Sequence, residues 1–208
     1  MTHEEITRKG MTREEMVEEL EAYINHIIMA HDCLCAYKSI LKASHLYNKQ
    51  INLALRFFTL SQYSLHNCLL IELRKLYYET GEEKTLQKLI CQIQANLHLF
   101  PKKISHPFLD ADDPEKISYV EEIKIILTND IKEAKKQLTF MEPILNNLKG
   151  SRDKYLAHND KEYFYGKVDP SWDFPISFND VNTLITIAGD FSNKMLTYLT
   201  NRSIIYQS

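Results

Sequence analysis

The sequence predicts an all-α fold: one domain over residues 1–208, built as a bundle of five or six helices. Three observations predict it. Five Gly and six Pro in 208 residues are too few for the many tight turns of a sheet-rich chain. Apolar residues recur at steps of three and four over long stretches, which lines one side of a 3.6-residue helix. Thr, Asp and Ser stand just ahead of those stretches, where their side-chain oxygens accept the free amides of a first helical turn. At 44% hydrophobic and 25% charged, the composition is that of a globular chain long enough for one buried core.

The first helix starts at Thr12-Arg-Glu-Glu15, a capping-box pattern, and carries apolar positions without Gly or Pro from Met16 to Leu46, with a break near Asn48. Its acidic cluster, Glu14, Glu15, Glu18, Glu19 and Glu21, sits where the helix dipole favours negative charge. A second long helix runs from Lys49 to Tyr78 on the seam Ile51, Leu55, Phe58, Gln62, Leu65, Leu69, Glu72, Leu76. Leu53, Phe57, Leu60, Leu70, Ile71 and Leu73 populate its other sides, so it reads as the central member of the bundle, with Gly81 punctuating its end. Thr85 to His98 forms a shorter helix. After the Pro101 to Pro114 loop, Asp113-Pro114 signals a start, and Val120, Ile123, Leu127, Ile131, Ala134, Leu138 and Met141 form the next stripe. Pro143 kinks or restarts that helix, and Gly150 interrupts the segment behind it at a cost of about 1 kcal/mol relative to Ala. Residues 159–176 form a polar, aromatic flap with Gly166, Pro170 and Pro175. Ser177 and Asp180 then cap a last helix with the stripe Val181, Leu184, Ile185, Ala188, Phe191, Met195, Leu199.

Net charge is −3, against a global polyanion-binding surface. The start lacks the basic flank and apolar run of a secretion signal, and no stretch reaches the roughly 20 apolar residues of a membrane span, so a cytoplasmic chain with no membrane partner is expected. Cys33, Cys35, Cys68 and Cys91 make no CxxC pair and read as reduced thiols, mostly core fillers. GxGxxG, P-loop, HExxH, GxSxG and EF-hand patterns are all absent. The eight His form no i, i+4 pair, so neither a metal nor another cofactor is expected, and His26, His31 and His66 read as structural imidazoles.

The informative segment is Lys149-Gly-Ser-Arg152-Asp153-Lys154-Tyr155-Leu-Ala-His158-Asn-Asp160. Arg152, a polar residue directly after it and His158 after five intervening residues resemble the Arg-x(4 to 6)-His motif of the HEPN superfamily, all-α proteins many of which are ribonucleases. The fuller string is similar to the abortive-infection AbiU-type branch, and the order of helices also matches. The resemblance implies an HEPN-like bundle and a metal-independent endoribonuclease of toxin-antitoxin or anti-phage defence. It further implies a homodimer with a shared site, RNA as substrate, and an antitoxin or nucleotidyltransferase partner. A non-catalytic HEPN-like module that binds RNA, a nucleotide or a protein is the alternative.

The residue chemistry suits that implication. His moves protons near neutral pH, and the planar guanidinium of Arg is a permanent cation that fits phosphate oxygens. Arg152, Asp153 and His158 are therefore the candidate catalytic group. Lys149, Lys154 and Tyr155 are candidates for substrate binding. On one helix Arg152 and His158 lie about 120° apart in angle and roughly 9 Å apart along the axis, so one copy converges poorly on one phosphate. The bland alternative is a surface ion pair for Arg152 and Asp153, with His158 at a helix C-terminus. Glu72, a carboxylate on an apolar seam, must be paired or exposed, and Arg152, Arg56 and Arg74 are its candidate partners. Residues 132–154 carry net +3 against −6 for the rest of the chain, a modest basic patch around the motif. Tyr163, Phe164, Tyr165, Trp172 and Phe174 of the flap offer stacking faces for bases, although such loops more often pack their rings over the core.

Overall fold

The computed structural model describes residues 11–78, 85–101, 123–151 and 175–200, and all regular structure among them is helical. The helices are α1 (Arg13–Leu46), α2 (Asn48–Leu53), α3 (Leu55–Tyr77), α4 (Leu86–Ala95), α5 (Ile123–Phe140), α6 (Glu142–Ser151) and α7 (Phe178–Thr200), with a 3₁₀ turn at Leu97–Leu99. The expected capping box is present. Glu15 N donates to Thr12 Oγ1 at 3.2 Å and Thr12 N donates to Glu15 Oε2 at 2.8 Å. Ser177 and Asp180 form a second reciprocal pair, at 2.8 and 3.1 Å, ahead of α7.

Helix α1 is the spine, and its inward positions Met16, Leu20, Ile24, Ile27 and Leu34 are almost wholly buried against α3 and α7. Every stripe residue expected of α7 is buried, as are Leu127, Ile131, Ala134, Leu138 and Met141 of the stripe that α5 carries. Each such side chain contributes roughly 1.5–3 kcal/mol by leaving water. Polar ties fix the ends of the long helices. Tyr23 donates its hydroxyl to the Leu76 carbonyl at 2.7 Å, Tyr77 donates to Leu184, and the Arg13 guanidinium donates to Leu199. Helix α6 begins after a turn at Met141, with Pro143 in its first turn, so the proline restarts the helix as expected.

Three expectations change. The helix expected from Lys49 to Tyr78 is two, parted at Ala54, because the chain reverses direction between α1 and α3 and spends α2 on the turn. The amides of Phe57 and Phe58 both bond the Ala54 carbonyl and start α3 there. Helix α3 is also central only over its second half. Leu69, Leu70, Glu72, Leu73 and Leu76 are buried, whereas Leu53, Leu55, Phe57 and Leu60 face solvent on a hairpin arm where Ile51 alone is buried. Finally, the cysteines are not mostly core: all four are free thiols, but Cys35 and Cys91 are exposed, Cys68 is half-buried and only Cys33 is buried.

The helix start at Asp113-Pro114, the flap at 159–176 and the punctuating Gly81 lie, wholly or for nearly all their length, outside the described residues. No helix among the described residues is long and apolar enough to cross a membrane.

Candidate functional site

Arg152, Asp153, Lys154, Tyr155 and His158 lie outside the described residues, which end on this side of the chain at Ser151 of α6. What the structure places is the approach to them. Leu148 is buried, and Ile144 and Leu145 pack on the core, which holds α6 against α3. This fixes where residue 151 leaves the bundle. Lys149, a candidate for substrate binding, sets its ammonium 5.6 Å from the centre of the Tyr78 ring, and the Arg74 guanidinium lies 5.9 Å from the same ring. Two cations thus gather at one aromatic ring, each attracted by its quadrupole, and Lys149 is three residues ahead of Arg152 in the sequence. Asn147 Nδ2 donates to the Pro175 carbonyl at 2.9 Å, which ties α6 to the residue ahead of the last helix.

Glu72 is buried, as its place on the apolar seam requires, with 8% of its side chain exposed. Its partners are Lys75, whose Nζ donates to Oε1 at 2.7 Å, and His26, whose Nδ1 meets Oε2 at 2.7 Å. Charge-assisted contacts of this length compensate for the loss of water around a carboxylate. The Glu72/Lys75 pair is readable from its i, i+3 spacing. The contact to His26 joins α1 to α3 and has no local signal. The expected pairing with Arg152 lies outside the described residues, and His26 is the satisfied imidazole that its helical context suggested.

His26 and Lys75 open on a groove of about 760 Å³ that is also lined by Glu15, Glu18, Glu19 and Tyr23. The acidic rim disfavours a polyanion there. Positive charge collects instead where α3 and α6 end, at Arg74 and Lys149, the side from which the motif departs. Burial pushes up several protons nearby. The Cys33 thiol is raised to about 12, first by burial and then by its contact with Cys68. The phenols of Tyr23 and Tyr77 are raised well above the ordinary value of 10.0, again by burial.

The described residues form an all-α bundle whose spine packs on α3 and α7, and the Arg-x5-His string follows α6 in the sequence. The model of the AbiU2 family of HEPN domains matches residues 13–208, nearly the whole chain, and the chain belongs to that abortive-infection family. No curated protein and no solved structure matches it.

Proposed function

We propose that this protein is a metal-independent endoribonuclease acting in toxin-antitoxin or anti-phage abortive-infection defence, with a site shared between the two chains of a homodimer. The observation that carries the reading is the Arg152-Asp153-x4-His158 string directly behind α6 in a chain of the AbiU2 family. The sequence offers no carboxylate or His/Cys set of the kind that holds catalytic metals, so the nucleophile is the RNA's own 2′-hydroxyl. His158 takes the proton from that hydroxyl, its oxygen attacks the adjacent phosphorus, and the 5′-oxygen leaves with a proton from an acid, which the second chain's His158 supplies. Proton transfer of this kind contributes typically 10²–10⁴-fold. Arg152 stabilises the charge that grows on the non-bridging oxygens, and Asp153 orients Arg152 or His158. Lys149, Lys154 and Tyr155 hold the strand.

The gathering of Arg74 and Lys149 on Tyr78 supports a polyanion on this side of the bundle. The segment from Pro143 to Asn159 lies at or beside the two-fold interface, and a cytoplasmic antitoxin or nucleotidyltransferase partner restrains the activity. The test is cleavage of single-stranded RNA by wild type, His158→Ala and Arg152→Ala. The wild type cuts RNA and not DNA, each variant loses activity, and both remain dimeric. Cleavage that survives both substitutions defeats the assignment. A wild type that cuts no RNA, even after release from a partner, leaves the non-catalytic binding module in its place.

A further inference from the structure

Two cysteines meet across the interface between α1 and α3. The helices run antiparallel, and three contacts fix their alignment: the Tyr23 hydroxyl on the Leu76 carbonyl at 2.7 Å, His26 Nδ1 on Glu72 Oε2 at 2.7 Å, and the Tyr37 ring 6.2 Å from the His66 ring. Tyr23, His26, Ala30, Cys33 and Tyr37 follow at steps of three and four, so Cys33 stands on the stripe of α1 that faces α3. The matching position on α3, between Glu72 and His66, is Cys68. The Cys33 thiol hydrogen-bonds to Cys68 there. Cys33 is buried and Cys68 packs on the core from a half-buried position, so Cys68 is the sulfur of the pair that a small solute reaches first. Burial, and then the contact with Cys68, push the Cys33 thiol up to about 12, which keeps its proton on Cys33. Cys35 takes no part, since it is exposed and lies about 200° round α1 from Cys33.

We propose that Cys33 and Cys68 are a thiol oxidation site, which a hydroperoxide converts to a disulfide that joins α1 to α3. The Cys68 sulfur attacks one oxygen of hydrogen peroxide, the O–O bond breaks, and Cys68 becomes a sulfenic acid as one water leaves. The Cys33 sulfur then attacks the Cys68 sulfur, the S–O bond breaks, and the hydroxide leaves as a second water with the Cys33 proton. Two thiols lose two electrons and two protons to one peroxide. Sulfurs already in hydrogen-bond contact need only side-chain rotation to reach the roughly 2.05 Å of a disulfide. Their closeness also lets Cys33 act in spite of its firmly held proton, because the second attack takes place within one chain. The bond closes residues 34–67 in a loop, which holds the end of α1, all of α2 and the first part of α3. This is the arm that carries the exposed Leu53, Phe57 and Leu60. Oxidation ties the base of the arm to the bundle, and a dithiol reductant releases it. Such transient bonds are how thiol pairs in reducing compartments report oxidants.

The experiment uses the full chain with its two exposed thiols removed, Cys35→Ala and Cys91→Ala, treated with a small molar excess of hydrogen peroxide at pH 8. The intact mass falls by about 2 Da as two thiol hydrogens are lost, and a peptide map joins Cys33 to Cys68. The chain stays single on a non-reducing gel, and dithiothreitol restores both thiols. Because the closed loop restricts the unfolded chain, the melting temperature rises by roughly 5–15 °C. Adding Cys33→Ser, which is close in size, removes the second sulfur and leaves Cys68 as a sulfenic acid that dimedone traps. Two free thiols after a treatment that oxidises Cys35 in the wild type overturn the proposal. So does a gain of oxygen on either sulfur with no cross-link, or a link that forms between chains. A link that forms only in urea overturns it as well, since it owes nothing to the folded contact. No readout uses RNA, so the outcome is separate from that of the ribonuclease reading.

Discussion

Replacing Glu72 with Ala tests how much the buried cluster between α1 and α3 contributes. The carboxylate is 8% exposed and meets two nitrogens at 2.7 Å each. A hydrogen bond to a charged group contributes about 1.5–3 kcal/mol. Its partners are nearly half exposed, His26 at 45% and Lys75 at 47%, so both turn to water once the carboxylate is gone. The loss therefore stays below the 3–5 kcal/mol of a stranded buried ion and falls at about 2 kcal/mol. For a domain of this size that lowers the melting temperature by roughly 4–8 °C. Glu72→Gln keeps the shape and one acceptor oxygen and loses about half as much. Thermal and urea unfolding of the three proteins measure it. A change below about 0.5 kcal/mol for Glu72→Ala, the range of ordinary surface sites, refutes the reasoning.

Gly150→Leu separates helix propensity from contact between chains: the single chain gains up to about 1 kcal/mol because Gly is a poor helix former, while the dimer weakens if two backbones approach there, as sedimentation reads directly. Thiol titration at pH 8 labels Cys35 and Cys91 quickly and Cys33 slowly, because the Cys33 thiol, raised to about 12, holds its proton until the fold opens; rapid labelling of Cys33 in the folded protein contradicts this. Alkaline unfolding follows from the buried phenols. Tyr23 keeps its proton when folded and loses it above about pH 10 when unfolded, so its contribution is complete below pH 10 and then falls by about 1.4 kcal/mol per pH unit. Phenolate absorbance from Tyr23 therefore rises together with unfolding and not before it.

Where structure is decided by neighbours in sequence, the sequence is legible. The Thr12/Glu15 and Ser177/Asp180 boxes, the restart at Pro143 and the buried stripes of α5 and α7 all follow from spacings of three or four residues, and the structure has them. Contacts between helices are harder. Nothing near His26 announces Glu72, 46 residues away, and nothing near Lys149 announces Tyr78. The outer side of α3 departs from expectation because an apolar residue looks the same whether it faces its own core or a surface left open. Phe57 and Leu60 are as apolar as Leu69 and Leu73, and only tertiary packing separates them. Cys35 and Cys91 are exposed for the same reason, since a thiol's burial depends on which side of its helix the bundle covers. The Arg152 to His158 string, by contrast, is local, and the family it suggested is the family to which the chain belongs.

The most direct test of the central claim is the chemistry of the cut ends. Single-stranded RNA incubated with the purified protein in excess EDTA should give fragments ending in a 2′,3′-cyclic phosphate and beginning with a 5′-hydroxyl, with none from His158→Ala. Fragments that carry a 3′-hydroxyl and a 5′-phosphate, or cleavage that stops when EDTA is added, would contradict attack by the 2′-hydroxyl and with it the roles given to Arg152 and His158.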